Sequence, residues 1–355
     1  MNALLQQLKR ISGRWSPSPR VASHAVVVVT AAGLAASYLL TWDLWRGRID
    51  PPNLPAVGAL SSLDFGAALV AAAVAAMVFP RAGSVIHSAI LLLAMLGDQI
   101  RLQPEFVSLG LLLAAAAWPP TGMAIARWHL ITLWGWAGLH KILSIGWPEA
   151  GAPFIASAAG RPELRSVVAV AVPLAEVGLA ALALRARTWR ILWVAAALFH
   201  VGVVVVLARI GWNSAIWPWN VALAAVTPFL FNPASAPNQD RPALRSRSVV
   251  VAAVLFALYP VGFYFGMSDA YPSHNLYSAN TAQAVIVCRP EAPNRCTPAA
   301  WYGTVASLNV PFPPERRLYV AWFERICEPG ERLRIDGIWT RLNDRQVEFV
   351  ECARR

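Results

Sequence analysis

Lys141 stands in AGLHKIL (137–143), inside one of the most apolar stretches of the chain and next to His140. Of 30 lysines and arginines, only Lys9 and Lys141 are lysine. Arginine keeps its charge wherever it sits, whereas a desolvated lysine can shed its proton and act as a base. An ionisable residue at membrane depth is costly and tends to face a cavity or a partner. Lys141 is therefore expected to be a proton acceptor with His140 in support; the alternative is a stem that snorkels to the headgroups. Glu176 and His200 fall near mid-depth on consecutive apolar runs. They are expected either to share a proton or to form a structural interhelical hydrogen bond.

Further polar groups cluster toward the side on which Lys141 lies. They are the run Asp98, Gln99, Ile100, Arg101, Leu102, Gln103 (DQIRLQ) and the run from Asn213 to Asn220 (NSAIWPWN). Asp98 and Arg101 are expected either to pair with each other in a polar loop or to face a ligand. Trp217 and Trp219 suit an interfacial aromatic belt or a stacking platform, and Asn220, an amide in lipid, needs a partner. His87 and His129 read as structural, and Asp43 as an anchor for the first span at the surface.

These side chains need a membrane bundle to hold them. The chain is 57% hydrophobic and 14% charged, with mean hydropathy +0.49. This composition excludes an ordinary soluble domain. A net charge of +11 raises nucleic-acid binding as a reading. The arginines, however, lie in short clusters between apolar segments rather than along one stripe, which places them at bilayer surfaces. Apolar runs of membrane-crossing length predict about nine helices, near 22–43, 64–80, 84–98, 105–120, 128–146, 166–184, 190–209, 213–231 and 248–267, the fourth cut short by Pro119-Pro120. With a basic cytoplasmic N-terminus (1–21), Lys9, Arg10, Arg14, Arg20, Arg81, Arg127, Arg185, Arg187, Arg190, Arg241, Arg245 and Arg247 fall inside. The outer connections between spans hold only Arg46, Arg48, Arg101, Arg161, Arg165 and Arg209, so the positive-inside rule favours this orientation.

An odd span count sends residues 268–355 to the extracytoplasmic side, and Cys288, Cys296, Cys327 and Cys352 all lie there. Two disulfides suit that compartment, with Cys288–Cys296 and Cys327–Cys352 the pairing spacing favours. The runs AQAVIVC, RLYVAWFERIC, ERLRIDGIWTRL and QVEFVEC predict a small β-rich domain. The expected fold is thus an all-α polytopic bundle (22–267) carrying a C-terminal extracytoplasmic β-rich domain (268–355). No metal-ligand cluster, P-loop, dinucleotide fingerprint or internal repeat is present.

The segment LWGWAGLHKILSIGW resembles a helix of the vitamin K-dependent γ-carboxylase and its bacterial relatives, the horizontally transferred transmembrane (HTTM) domain family. There an Ala-Gly-hydrophobic-Lys-Lys-hydrophobic run carries the base. Lys141 matches that lysine, and His140 replaces the lysine before it. LAEVGLAALALRARTWRILWVAAALFHVGVVVVLARIGWNSAIWPWNVALAAVTPFLFNP is similar to the following helices, while LTWDLWRGRI and LLLAMLGDQIRLQP fall where the family has an acidic helix end and a polar loop. The similarity runs in order over roughly residues 20–235.

The resemblance implies an extracytoplasmic site. A lysine deprotonates a reduced naphthoquinone, oxygen adds, and the product drives carboxylation of a glutamyl side chain on a peptide or protein. It also implies Asp98, Gln99, Arg101, Gln103, Trp217, Trp219 and Asn220 as groups around the quinone, with no metal. Two departures stand out. The family's Trp-Asn-Asn-His loop reads Arg101-Leu102-Gln103-Pro104 here, and YPSHNLYSAN (271–280) carries no derivable role. The rival reading is non-enzymatic: a quinone- or lipid-binding protein, like DoxX or MauE redox accessories, presenting its disulfide-bonded tail to a periplasmic partner.

Overall fold

The computed structural model describes residues 17–48, 53–232, 246–287 and 307–353. Cys288, Cys296, Lys9, Arg10, Arg14, Arg241 and Arg245 lie outside the described residues. The described chain is mostly helical. Each apolar run read from the sequence carries a helix: α1 (Pro19–Leu40), α2 (Gly66–Val78), α3 (Pro80–Gly97), α4 (Pro104–Ala116), α5 (Thr121–Leu143), α7 (Arg165–Ala183), α8 (Trp189–Arg209), α9 (Ile216–Leu230) and α10 (Arg247–Leu258). A short α6 (Ala152–Ala158) lies between α5 and α7. Proline at the first turn opens α1, α3 and α4, where the missing N–H would have been unpaired anyway. Pro260 ends the regular part of the last apolar run, which continues as a 3₁₀ turn over Tyr259–Phe265.

Five segments are long and apolar enough to cross a bilayer: Pro19–Leu40, Pro80–Gly97, Pro162–Ala183, Ala186–Arg209 and Arg247–Phe265. Helices α2, α4 and α9 are apolar but shorter, and α5 carries Arg127, His129, His140 and Lys141. Val78, Leu174, Leu198, Val205 and Leu258 point outward and are exposed, the surface a helix presents to hydrocarbon rather than to water. The corner between α4 and α5 is tight. A Cβ on Gly122 would lie 1.7 Å from Ala115 O, so the turn after Pro119-Pro120 needs a glycine.

The C-terminal segment forms a three-stranded antiparallel sheet in the order β1 (Gln283–Val287), β2 (Arg332–Asp336), β3 (Val347–Glu351). Register places Ala284 opposite Ile335, and Leu333 opposite both Ile286 and Val350. In β2 the buried Leu333 and Ile335 alternate with Arg332 and Arg334, as a half-buried strand requires. The run RLYVAWFERI, expected as a strand, is instead helix α11 (Arg316–Ile326). Leu318, Tyr319, Trp322 and Phe323 recur at helical spacing and bury one face, leaving Glu324 and Arg325 outside; period outweighs aromatic content.

Cys327, at the end of α11, is bonded to Cys352 after β3. Cys327→Ser is expected to cost about 3 kcal/mol, the entropy of closing a loop of this size. The loss should read as a lower melting temperature that reductant reproduces in the wild type.

This segment sits on one end of the bundle. Asn309 Nδ2 donates to Leu40 O (3.0 Å), Gln103 Nε2 to Pro311 O (2.9 Å) and Asn343 Nδ2 to Tyr264 O (3.0 Å). Arg341 N donates to Leu143 O (2.9 Å). One continuous hydrophobic cluster runs from Val26 and Leu34 through Leu308 and Val310 to Phe323 and Leu333. At the seam, Glu315 Oε1 accepts from Ala270 N at 2.7 Å, and burial, with Asp269 adding to it, pushes its carboxyl up to about 7. A folded-state value above the unfolded one means that the folded chain holds the proton longer. This contribution to stability is present below about pH 4.5 and is lost as pH rises through about 7. Melting temperature should therefore fall across that window in the wild type, and fall less in Glu315→Gln.

Candidate functional site

Helices α5 and α7 meet at Gly138. A Cβ there would lie 2.7 Å from Pro173 O and 2.7 Å from Val177 Cγ2, so only glycine lets the backbones come this close. One turn along, the approach puts Lys141 Nζ 2.8 Å from Glu176 Oε1, both side chains buried. Pro173, inside α7, has no N–H and leaves the carbonyl of Ala169 free. Trp147 Nε1 donates to that carbonyl at 2.9 Å, and the same indole lies 5.6 Å from Lys141 Nζ.

Lys141 Nζ also reaches Ala137 O at 3.3 Å and Leu276 O at 3.5 Å. All three contacts are acceptors, the arrangement that suits an amine with three donors to place. Lys141 is thus one half of a buried amine–carboxylate pair, and its stem points inward rather than snorkelling. Glu176 bonds Lys141, not His200. Glu176 Oε2 is buried and has no hydrogen-bond partner among the described residues.

His200 belongs to a separate chain of bonds. Trp134 Nε1 donates to His200 Nε2 at 3.1 Å. An indole can only donate, so Nε2 accepts and the ring proton sits on Nδ1, which donates to Asn220 Oδ1 at 2.8 Å. Asn220 Nδ2 in turn donates to Ile216 O at 3.0 Å. The direction of every bond in this relay is fixed.

Both sets of groups wall one cavity of about 350 Å³ between α5, α7, α8, α9 and residues 274–277. That volume falls in the roughly 300–1,000 Å³ range of small-molecule sites. Leu133, Val172, Val203, Leu207 and Leu223 make most of the wall apolar. Trp219 is on the wall too, its buried Nε1 without an acceptor among the described residues. No family model, no curated protein and no solved structure matches the chain.

The structure therefore brings together Lys141, Glu176, His200, Trp219 and Asn220. His140, though adjacent to Lys141, is not on the wall. Its Nε2 donates to Ser273 O (2.8 Å) and its Nδ1 accepts from Tyr264 Oη (2.7 Å), which ties α5 to the segment after α10. Trp217 packs against the core away from the cavity.

The DQIRLQ run forms a buckle at the helix ends. Asp98 pairs with Arg48 rather than Arg101, and also accepts from Leu54 N and Ile100 N. Arg101 is fully buried and donates to the carbonyls of Leu44 (2.8 Å), Ala94 (3.0 Å) and Arg46 (3.0 Å). Burial pulls its guanidinium down to about 10, with Asp98 opposing. Gln99 reaches Leu54 O, and Gln103 reaches Ile100 O and Pro311 O. None of the four lines the cavity.

His87 bonds Tyr38 Oη (2.7 Å), and His129 bonds Ser108 Oγ (2.8 Å). Asp43 pairs with Arg46 at the surface. The residues that the sequence did not reveal are Trp134, Trp147, His274 and Tyr277. Only the proline inside α7 hinted at Trp147, because it creates a carbonyl in need of a donor.

Proposed function

We propose that this chain is an integral protein of the inner membrane with about nine spans, N-terminus cytoplasmic and C-terminal segment extracytoplasmic, that takes a proton from a reduced naphthoquinone at the Lys141–Glu176 pair. Arg20, Arg81, Arg127 and Arg247 support this orientation. They lie at or near the starts of α1, α3, α5 and α10; the far ends of α1 and α5 and the turn after α10 meet the C-terminal segment.

The observation that carries the reading is Glu176 Oε2, an open acceptor among the described residues, beside Lys141 in a mostly apolar cavity. A ring hydroxyl donates to such an oxygen, and the unpartnered Trp219 N–H can serve a ring oxygen as donor. Bound there, a reduced naphthoquinone would supply the acidic hydroxyl and the reducing power for oxidation-coupled chemistry such as carboxylation of a periplasmic peptide or protein. Glu176 Oε2 would take up the proton, and Lys141, bonded to Oε1, would hold the carboxyl group in place in surroundings that strengthen such contacts. The test is oxygen uptake driven by reduced menadione in nanodiscs, measured above spontaneous oxidation. It should vanish in Lys141→Ala, and wild-type uptake in that variant would end the assignment.

A further inference from the structure

The segment YPSHNLYSAN, left without a role by the sequence, roofs the cavity. Ser273 O accepts from His140, Leu276 O from Lys141, and Tyr277 Oη from Asn213 Nδ2 at 2.6 Å. Its own polar groups fold it: Asn275 N donates to Ala270 O and Asn275 Nδ2 to Asn280 O, while Ser278 Oγ is bonded to Asn275 Oδ1. His274, Tyr277 and Ala279 hold φ of 62°, 54° and 53°, which non-glycine residues adopt only where the surroundings impose it. Such conformations cluster at ligand sites.

The outcome is one imidazole presented to the cavity wall. His274 is only partly buried, and its ring lies 5.4 Å from that of His129. No hydrogen bond to its ring nitrogens is found among the described residues. His87, His129, His140 and His200 each have at least one such bond.

We infer that His274 is a ligand-contacting residue of this cavity, hydrogen-bonding a ring oxygen of the bound quinone in both its oxidised and reduced forms. The inference rests on the quinone reading above. Its chemistry is distinct from that of the other open groups on the wall. Glu176 Oε2 can only accept from a hydroxyl when ionised, and the Trp219 indole can only donate. A neutral imidazole has one donor and one acceptor, so it can serve a carbonyl or a hydroxyl. Burial, with His129 and His140 nearby, holds His274 well below the usual histidine range and so keeps it neutral.

The probes are menadione and, under anaerobic conditions, reduced menadione. Their binding to the full-length protein in nanodiscs is read by quenching of the wall tryptophans Trp134, Trp147 and Trp219. Wild type should bind both saturably. His274→Phe should weaken both about tenfold, His274→Gln should stay within about threefold, and Glu176→Gln should weaken only the reduced form. If His274→Phe does not fold, His274→Asn tolerates positive φ and withdraws the polar group from reach, with the same tenfold loss expected. Unchanged affinity in the folded Phe or Asn variant, with wild type binding normally, overturns this inference alone. No saturable quenching in wild type overturns the quinone reading and this inference together.

Discussion

Lys141→Met is expected to lower the stability of the folded protein by about 3–5 kcal/mol, the usual cost of stranding one member of a buried ion pair. Glu176 would keep Oε2 without a partner among the described residues and lose the bond to Oε1, in a cavity whose other walls are mostly apolar. Removing both charges should be far milder. Lys141→Met/Glu176→Leu is expected within about 2 kcal/mol of wild type, because the cost lies in the unpaired charge and not in the absence of a pair. Unfolding titrations in mixed micelles would measure both. A single variant within about 1 kcal/mol of wild type, or a double variant as unstable as the single, would show that the pair is not buried as described.

Glu176→Gln should reduce oxygen uptake driven by reduced menadione about 100-fold or more, at the low end of what a positioned base contributes. The amide keeps the shape of the carboxylate and can still accept from Lys141 through its carbonyl oxygen, but it cannot take up a proton at the position of Oε2. Binding of oxidised menadione should be nearly unchanged, because that form brings no proton to accept. Full turnover in Glu176→Gln would place the acceptor elsewhere. The His200–Asn220 relay is a poor substitute, since Trp134 already occupies His200 Nε2.

Much of the architecture was legible because lipid allows few solutions. Every apolar run became a helix, five segments are long and apolar enough to cross a membrane, and apolar side chains stay exposed on their outer faces. The C-terminal helix α11 was not legible from its aromatic content, and its buried face at Leu318, Tyr319, Trp322 and Phe323 would have given it away. At the site, the sequence could mark Lys141, Glu176 and His200 as costly but could not choose their partners. Glu176 lies on the helix that Gly138 admits closest to α5, so it meets Lys141. Asp98 meets Arg48 because the chain folds back after α1, while the nearer Arg101 turns its guanidinium to three carbonyls. Close approach between helices is written in small residues, and their partners are known only once crossing points are fixed. The roof segment was opaque for a different reason. Its serines and asparagines bond mainly to one another, which leaves no periodic pattern to read.

That the roof comes from residues after α10 bears on how the molecule is made. A ribosome making this chain delivers every helix of the cleft before Ser273, Leu276 and Tyr277 have emerged. During that interval the cavity lacks the part of its wall that His274, Leu276 and Tyr277 supply. The cavity is therefore among the last parts of the bundle to be completed, and its final shape depends on how the segment after α10 docks.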